Sequence, residues 1–290
     1  MLFSGGSAVI NIILDPVLIS ALRSSGLGID GAAYATVVSQ FLYAAAMLWH
    51  FMKKSKNVKI HGIRVEKGLA AEIFGVGFSA MLMQVMMMVQ QTALYNIAAQ
   101  HGGDTWQVIL GAAYRVVGFA FIPLWGLSQG YQPATGTNYG AKQYGRVKQI
   151  TKVFTIAATL LSLIFYIPIM IAPKAILSMF ITTPSVVEQG ASDFRLFFMS
   201  YILMGIWIIA LTLMQSLGKA AKAGILVVLR QIAIYIPAAM IMPYVAGFGV
   251  HGVFWDPIIT DVLGIAVAIG MMRTELKKMN QDRRLRSEKE

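Results

Sequence analysis

Asp15 sits in the middle of an apolar run, four residues after Asn11. On a helix, positions i and i+4 share one face. An ionised carboxylate at the centre of a bilayer costs at least about 3 kcal/mol on insertion scales. Asp15 must therefore carry a proton, hold a cation or face water, and each of these suits a coupling-ion site. The plainer reading is an Asp bonded to polar groups of a neighbouring helix beside the helix-kinking Pro16.

A second polar set lies further along. Gln84, Gln91 and Tyr95, with Met87 and Met88, recur at helical spacing in another apolar run. Methionine adapts to many shapes and recurs on promiscuous binding surfaces. This face could line a cleft for small molecules, or it could be a packing face with polar patches. Asp256 and Asp261 occupy the last apolar run, with Arg115 and Arg230 as buried basic partners to consider. An intramembrane ion pair is the commoner explanation for such groups.

The elements that carry these residues are membrane spans. The 290 residues are 57% hydrophobic and 13% charged, against roughly 25% charged in soluble domains. Eight apolar stretches can be read, near 2–22, 31–52, 69–98, 106–133, 152–173, 193–217, 223–245 and 250–272. Only helices suit stretches of this length, because lipid cannot satisfy open backbone groups. No cleavable leader pattern is read ahead of the first stretch.

The net charge of +11 is distributed along the gaps and the tail rather than over an aromatic-studded surface, which argues against a nucleic-acid partner. With the start placed inside, the outer gaps hold only Arg23 and Lys174. The inner segments hold six, four, two and seven basic residues, so both termini are expected in the cytoplasm. The charged tail from Arg273 is expected to fray. There is no cysteine, the four histidines are scattered, and no nucleophile or metal constellation is read, so neither an enzyme nor a metal centre is expected.

An internal repeat spans the chain. Residues 26–34 read GLGIDGAAY and residues 247–255 read GFGVHGVFW, an offset of 221 at which Pro16 falls on Pro237 and Ser39 on Thr260. No strand precedes either G-x-G-x-x-G, so the glycines point to tight turns and close helix packing, not to a nucleotide. Six spans separate the copies, which predicts a parallel repeat of two six-helix bundles.

NIILDP at residues 11–16, GAAYATVVSQ at 31–40, QGYQP…NYGAK within 126–148 and LRQIAIYIP at 229–237 together resemble the multidrug and toxic compound extrusion (MATE) family, in its bacterial DinF/MepA-like branch. The resemblance covers about residues 5–275. It implies an all-α polytopic membrane fold of twelve helices, of which this chain supplies the last eight. Residues 1–52 would be the last two helices of the N-terminal lobe and 53–68 a basic cytoplasmic linker. Residues 69–272 would be a complete six-helix C-terminal lobe, and 273–290 a charged cytoplasmic tail. The first four helices would lie outside this chain, as in a truncated or split gene, with a separate four-helix fragment as a candidate partner.

The resemblance also implies a function. The family exports amphipathic, often cationic, organic compounds in exchange for H⁺ or Na⁺ by alternating access, multi-pass in the bacterial inner membrane and in contact with its lipid. Asn11 and Asp15 match its cation-site pattern, Thr36 is a further ligand candidate, and Na⁺ at Asp15 would be the only metal. No other cofactor is implied. Asp261 matches a family Asp and joins Gln84, Met87, Met88, Gln91 and Tyr95 as a substrate-cleft candidate, with Pro16 and Pro237 as helix kinks. The family's Asp on its first helix has no counterpart here. Two alternatives stand beside export: a lipid-linked precursor flippase of the same superfamily, and a non-transporting fragment or membrane subunit.

Overall fold

A computed structural model describes residues 2–23, 28–54 and 67–287. Most of the expected linker, residues 55–66, and the first glycine of the first G-x-G-x-x-G copy lie outside the described residues, as do 288–290. Every regular element among the described residues is a helix. Seven spans are long and apolar enough to cross a membrane among the described residues. Helix α3 (Lys67–Gly102), at 36 residues, is a further helix of spanning length.

Contacts divide the chain into two units, residues 1–70 and 71–290. In the first, α1 (Leu2–Arg23) packs along α2 (Gly28–Lys54). The half-buried positions of α1 include Ser7, Asn11, Leu14, Asp15, Leu18 and Leu22. That is an i, i+3, i+4 stripe and defines the face turned to α2. Gly31, Ala35 and Ser39 are the buried stripe of α2. Gly31 permits contact of the two backbones, since a Cβ there would lie 2.6 Å from the Leu18 carbonyl oxygen. Ser7 Oγ donates to the Ser39 carbonyl at 3.0 Å. Ile12, Phe41 and Met52 lie off this stripe and are exposed.

The second unit contains α4 (Asp104–Gly140), α5 (Tyr144–Ile171), the short α6 (Pro173–Leu177), α7 (Pro184–Phe197) and α8 (Met204–Ser216). It is completed by α9 (Ala220–Val228), a π-helical stretch at Leu229–Ile234, α10 (Tyr235–Ile241) and α11 (His251–Ser287). Helix α8 is its centre. From Trp207 to Met214 every residue is buried, the pattern of a helix apolar on all sides. Gly205 lets α8 close on α5, because a Cβ there would meet the Ala158 backbone at 2.6 Å. Phe194, Phe198, Ile208, Ile209 and Phe254 fill the core between α7, α8 and α11.

Three expectations need correction. The gap between the apolar stretches 106–133 and 152–173 is helical for most of its length. Helix α4 runs to Gly140 and α5 starts at Tyr144. At 37 residues α4 is about 55 Å long, well beyond a hydrocarbon core of about 30 Å, so polar turns of helix project past the membrane. The two helices are joined by a Schellman turn, with Lys142 N–H donating to the Tyr139 carbonyl and Gln143 N–H to the Asn138 carbonyl.

The tail does not fray at Arg273, because α11 continues to Ser287. Its Glu, Lys and Arg residues are good helix formers. Glu275, 1% exposed, pins the helix by ion pairs to Lys219 and Lys222 at the α8–α9 turn. Finally, Arg115 is exposed rather than a buried partner. It lies between the buried Ala113 and Val116 but points away from the core.

Candidate functional site

Each unit holds one candidate polar site. In the first, Asn11 and Asp15 lie on the α1 stripe that faces α2, one turn apart and half-buried. Asn11 Nδ2 and Asp15 Oδ1 are shielded from solvent and have no hydrogen-bond partner among the described residues. Buried polar groups are nearly always paired, so two orphans on one face demand an explanation. A proton, a cation or a water would satisfy the carboxylate oxygen. Pro16 follows directly, and its missing N–H leaves the Ile12 carbonyl without its helical donor. Thr36 is not brought into this group by a hydrogen bond. It is exposed, and its Oγ1 donates to the Ala32 carbonyl of its own helix at 3.0 Å.

In the second unit a cavity of about 530 Å³ opens among α3, α4, α7, α8, the π-helical stretch and α11. Its walls are mostly aromatic and aliphatic, with Tyr114, Trp125, Phe197, Phe198 and Trp207 among them. Its floor is polar. Arg230 Nε and Nη2 both donate to Asp261 Oδ1, at 3.0 and 2.6 Å. Ser200 Oγ donates to Asp261 Oδ2 at 2.5 Å. The guanidinium carbon lies 5.1 Å from the centre of the Trp207 ring. The Tyr114 and Tyr235 hydroxyls are 3.2 Å apart.

Local backbone geometry sets this floor. Pro237 has no N–H, so the Ala233 carbonyl loses its usual donor. The wide π turn at Leu229–Ile234 stands just ahead of it, and such turns recur at functional sites. Arg230 and Gln231 both sit on this wide turn and both line the cavity. Gly264 of α11 leaves room for the arginine stem, since a Cβ there would meet Arg230 Cγ at 3.2 Å. Asp256 is fully buried one turn from Thr260, whose Oγ1 donates to Asp256 Oδ1 at 3.0 Å, while Oδ2 has no partner among the described residues.

Of the cleft candidates, Met87, Gln91 and Asp261 line the cavity, whereas Gln84, Met88 and Tyr95 do not. Helical geometry gives the reason. At about 100° per residue, Gln91 projects about 40° from Met87, but Gln84, Tyr95 and Met88 project roughly 60–100° away on the same side. Gln90 lies on the opposite side of Met87 and also lines the cavity. Tyr95 instead packs on Tyr114, ring centres 5.7 Å apart, and its carbonyl accepts from Gln107 Nε2 at 3.2 Å. Gln231, Ser200 and Trp207 were not singled out by the sequence. The adjacent Arg-Gln pair in an apolar run seven and six residues ahead of Pro237 was the available signal for the first of them.

Residues 78–241 match the MatE family profile. Among curated proteins, the chain is 30% identical over 259 residues to the multidrug export protein MepA of Staphylococcus aureus (strain N315), covering 89% of this chain and 56% of that protein. It is 26% identical over 279 residues to MepA of Staphylococcus haemolyticus (strain JCSC1435), covering 96% and 60%. The chain thus spans a little over half the length of these relatives. A crystal structure of MATE in the straight conformation shares the fold, with a TM-score of 0.87 at 20% identity, covering 95% of this chain and 62% of that one.

Proposed function

Because this chain belongs to the multidrug and toxic compound extrusion family, we propose that it acts in a secondary multidrug antiporter of the bacterial inner membrane. The antiporter would export amphipathic, often cationic, organic compounds in exchange for H⁺ or Na⁺. The observation that carries the coupling half of this reading is the orphan pair on α1. Asp15 Oδ1 and Asn11 Nδ2 are shielded and without a partner among the described residues, beside Pro16, so a captured ion changes the charge of a proline-weakened helix. The cavity lined by Arg230 and Trp207 supports the substrate half.

In the proposed cycle, Asp15 takes up H⁺ or Na⁺ from outside, α1 bends at Pro16, and the hold on drug loosens. Release of the ion inside restores the drug-binding state. Ion and drug need couple by only a few kcal/mol, and the coupling is reciprocal. The membrane potential contributes roughly 2.3 kcal/mol per charge per 100 mV. The four helices that the twelve-helix fold places before α1 complete the N-terminal lobe, on the same polypeptide or on a separate partner. The skew of basic residues toward 53–68, 134–152, 218–222 and 273–290 supports cytoplasmic termini. A flippase reading gains less support, because among the described residues Arg230 is the one cationic residue lining the cavity and Asp261 neutralises it.

Dye efflux tests this. In a bacterium stripped of its own exporters, the chain with its four-helix complement is expected to lower retention of ethidium-like dyes and raise resistance. Unchanged retention in cells with verified membrane insertion would remove the export reading.

A further inference from the structure

We propose that Asp256 is a second proton-binding residue of this chain, one that holds a proton and yields it when an organic cation occupies the cavity of the 71–290 unit. The exchange half rests on the transport reading. The bound proton does not.

The sequence contains two Asp-Pro pairs, Asp15–Pro16 and Asp256–Pro257, each inside a span. Among the described residues they supply the two carboxylate oxygens that are shielded and lack a hydrogen-bond partner, Asp15 Oδ1 and Asp256 Oδ2. The pairs lie 241 positions apart, not the 221 of the repeat, so the second is not the repeat's copy of the first. Each proline also withdraws a helical donor, from the Ile12 carbonyl in α1 and from the Val253 carbonyl in α11.

Asp256 is the more enclosed of the two, at 0% exposure. Thr260 Oγ1 donates to its Oδ1 at 3.0 Å. The charged and titratable groups around it are Asp261 on its own helix, Arg230 on the π-helical stretch, Tyr114 on α4 and Tyr235 on α10. Arg230 is engaged by Asp261 through two hydrogen bonds. An ionised Asp256 would set a second negative charge beside that pair, closed off from water and with no cation of its own. A carboxyl in such a place is held as the neutral acid, because an isolated buried charge has a large desolvation cost. A metal ion fits less well. No group of three His, Cys, Asp or Glu side chains able to hold one occurs among the described residues.

The cavity adjoins this carboxyl. Pro257 and Asp261, on the same helix, line it, as do Tyr114 and Tyr235, whose hydroxyls are 3.2 Å apart. A cation held against these walls favours the charged form of a nearby carboxyl. The O–H bond of the acid then breaks, its electron pair stays on the carboxylate, and the proton passes to solvent. One positive charge enters as one leaves, so the net charge of the unit is unchanged. This step accompanies binding and is distinct from the ion uptake at Asp15 that drives turnover.

Infrared spectroscopy of the purified full chain in nanodiscs at neutral pH, with isotope-labelled aspartate, tests both halves. The probe is ethidium, whose binding is followed by its own fluorescence. The native protein is expected to show the carbonyl band of a protonated aspartic acid, lost in Asp256→Asn and kept in Asp15→Asn. Saturating ethidium is expected to lower this band several-fold and to raise carboxylate absorption in its place. Thr260→Val removes the hydrogen bond to Oδ1 and is expected to shift the band to higher frequency, which keeps the test open if Asp256→Asn does not fold. Loss of carboxylate absorption instead of the acid band in Asp256→Asn, an acid band that neither variant alters, or one that bound ethidium leaves at full intensity would overturn the inference. Ethidium that does not bind at all would overturn the transport reading and the exchange half with it, and the acid band would still decide whether Asp256 holds a proton.

Discussion

Gly252 lies directly against the backbone of Met242: a Cβ on it would stand 2.5 Å from the Met242 carbonyl carbon and 2.6 Å from its oxygen. Gly31, 221 positions earlier, meets the Leu18 carbonyl in the same manner. Each is the last glycine of a G-x-G-x-x-G copy and lets the following helix close on the preceding one. Gly252→Ala and Gly31→Ala are each expected to cost about 1–3 kcal/mol through overpacking against rigid backbone. Gly270→Ala, on an exposed face with nothing within 4 Å, is expected to hold or gain up to about 1 kcal/mol. Unfolding in mixed micelles compares all three, and equal midpoints would contradict the packing role.

Lys142 adopts φ 60°, the left-handed position of the Schellman turn between α4 and α5. Gly218 fills the matching position of the turn after α8, with φ 68°. A side chain in this region costs roughly 1–2 kcal/mol relative to glycine. Lys142→Gly is therefore expected to raise stability by about 1 kcal/mol, read as a higher unfolding midpoint. Gly218→Ala should lower it by a similar amount.

Glu275 is buried while its partners Lys219 and Lys222 are 30% and 37% exposed. Removing the lysines strands a buried carboxylate, whereas removing the carboxylate leaves two lysines that reach water. The double variant Lys219→Met, Lys222→Met is expected to lose more stability than Glu275→Gln. The upper bound is about 3–5 kcal/mol for stranding a buried charge, reduced by the solvent near the lysines. A larger loss from Glu275→Gln would reverse the assignment of which partner is desolvated.

Much of this was legible from residue order. The apolar runs mark the spans, and Asp15 announces itself because a carboxylate in such a run has a large desolvation cost. The Arg230–Asp261 pair was legible as a pair of opposite intramembrane charges, but the candidate partner Arg115 was not separable from it. Burial depends on which way a helix is turned, and Arg115 is turned outward. The width of the Gln84–Tyr95 face was also overread. A spacing rule groups residues that spread over more than a quarter of the helix circumference, and the cavity takes only one edge of them. The π turn that carries Arg230 and Gln231 follows from a backbone adjustment near Pro237, and composition carries no direct mark of it.

Met87 and Met88 separate the cavity face of α3 from its neighbour, since Met87 lines the cavity and Met88, 64% exposed, does not. The chain has no native cysteine, so single substitutions report cleanly. A saturating aromatic ligand is expected to slow maleimide labelling of Met87→Cys several-fold and to leave Met88→Cys unchanged. Equal protection at both would place the ligand elsewhere.

Ion coupling at Asp15 is tested most directly by substrate-driven ion flux in proteoliposomes that hold the assembled transporter. Adding dye to the native protein is expected to drive a counter-movement of H⁺ or Na⁺. Asp15→Asn is expected to abolish that flux while dye still binds, because the amide neither takes up a proton nor offers a charge to a cation. Dye-driven ion flux at the native rate in Asp15→Asn would contradict coupling at this residue.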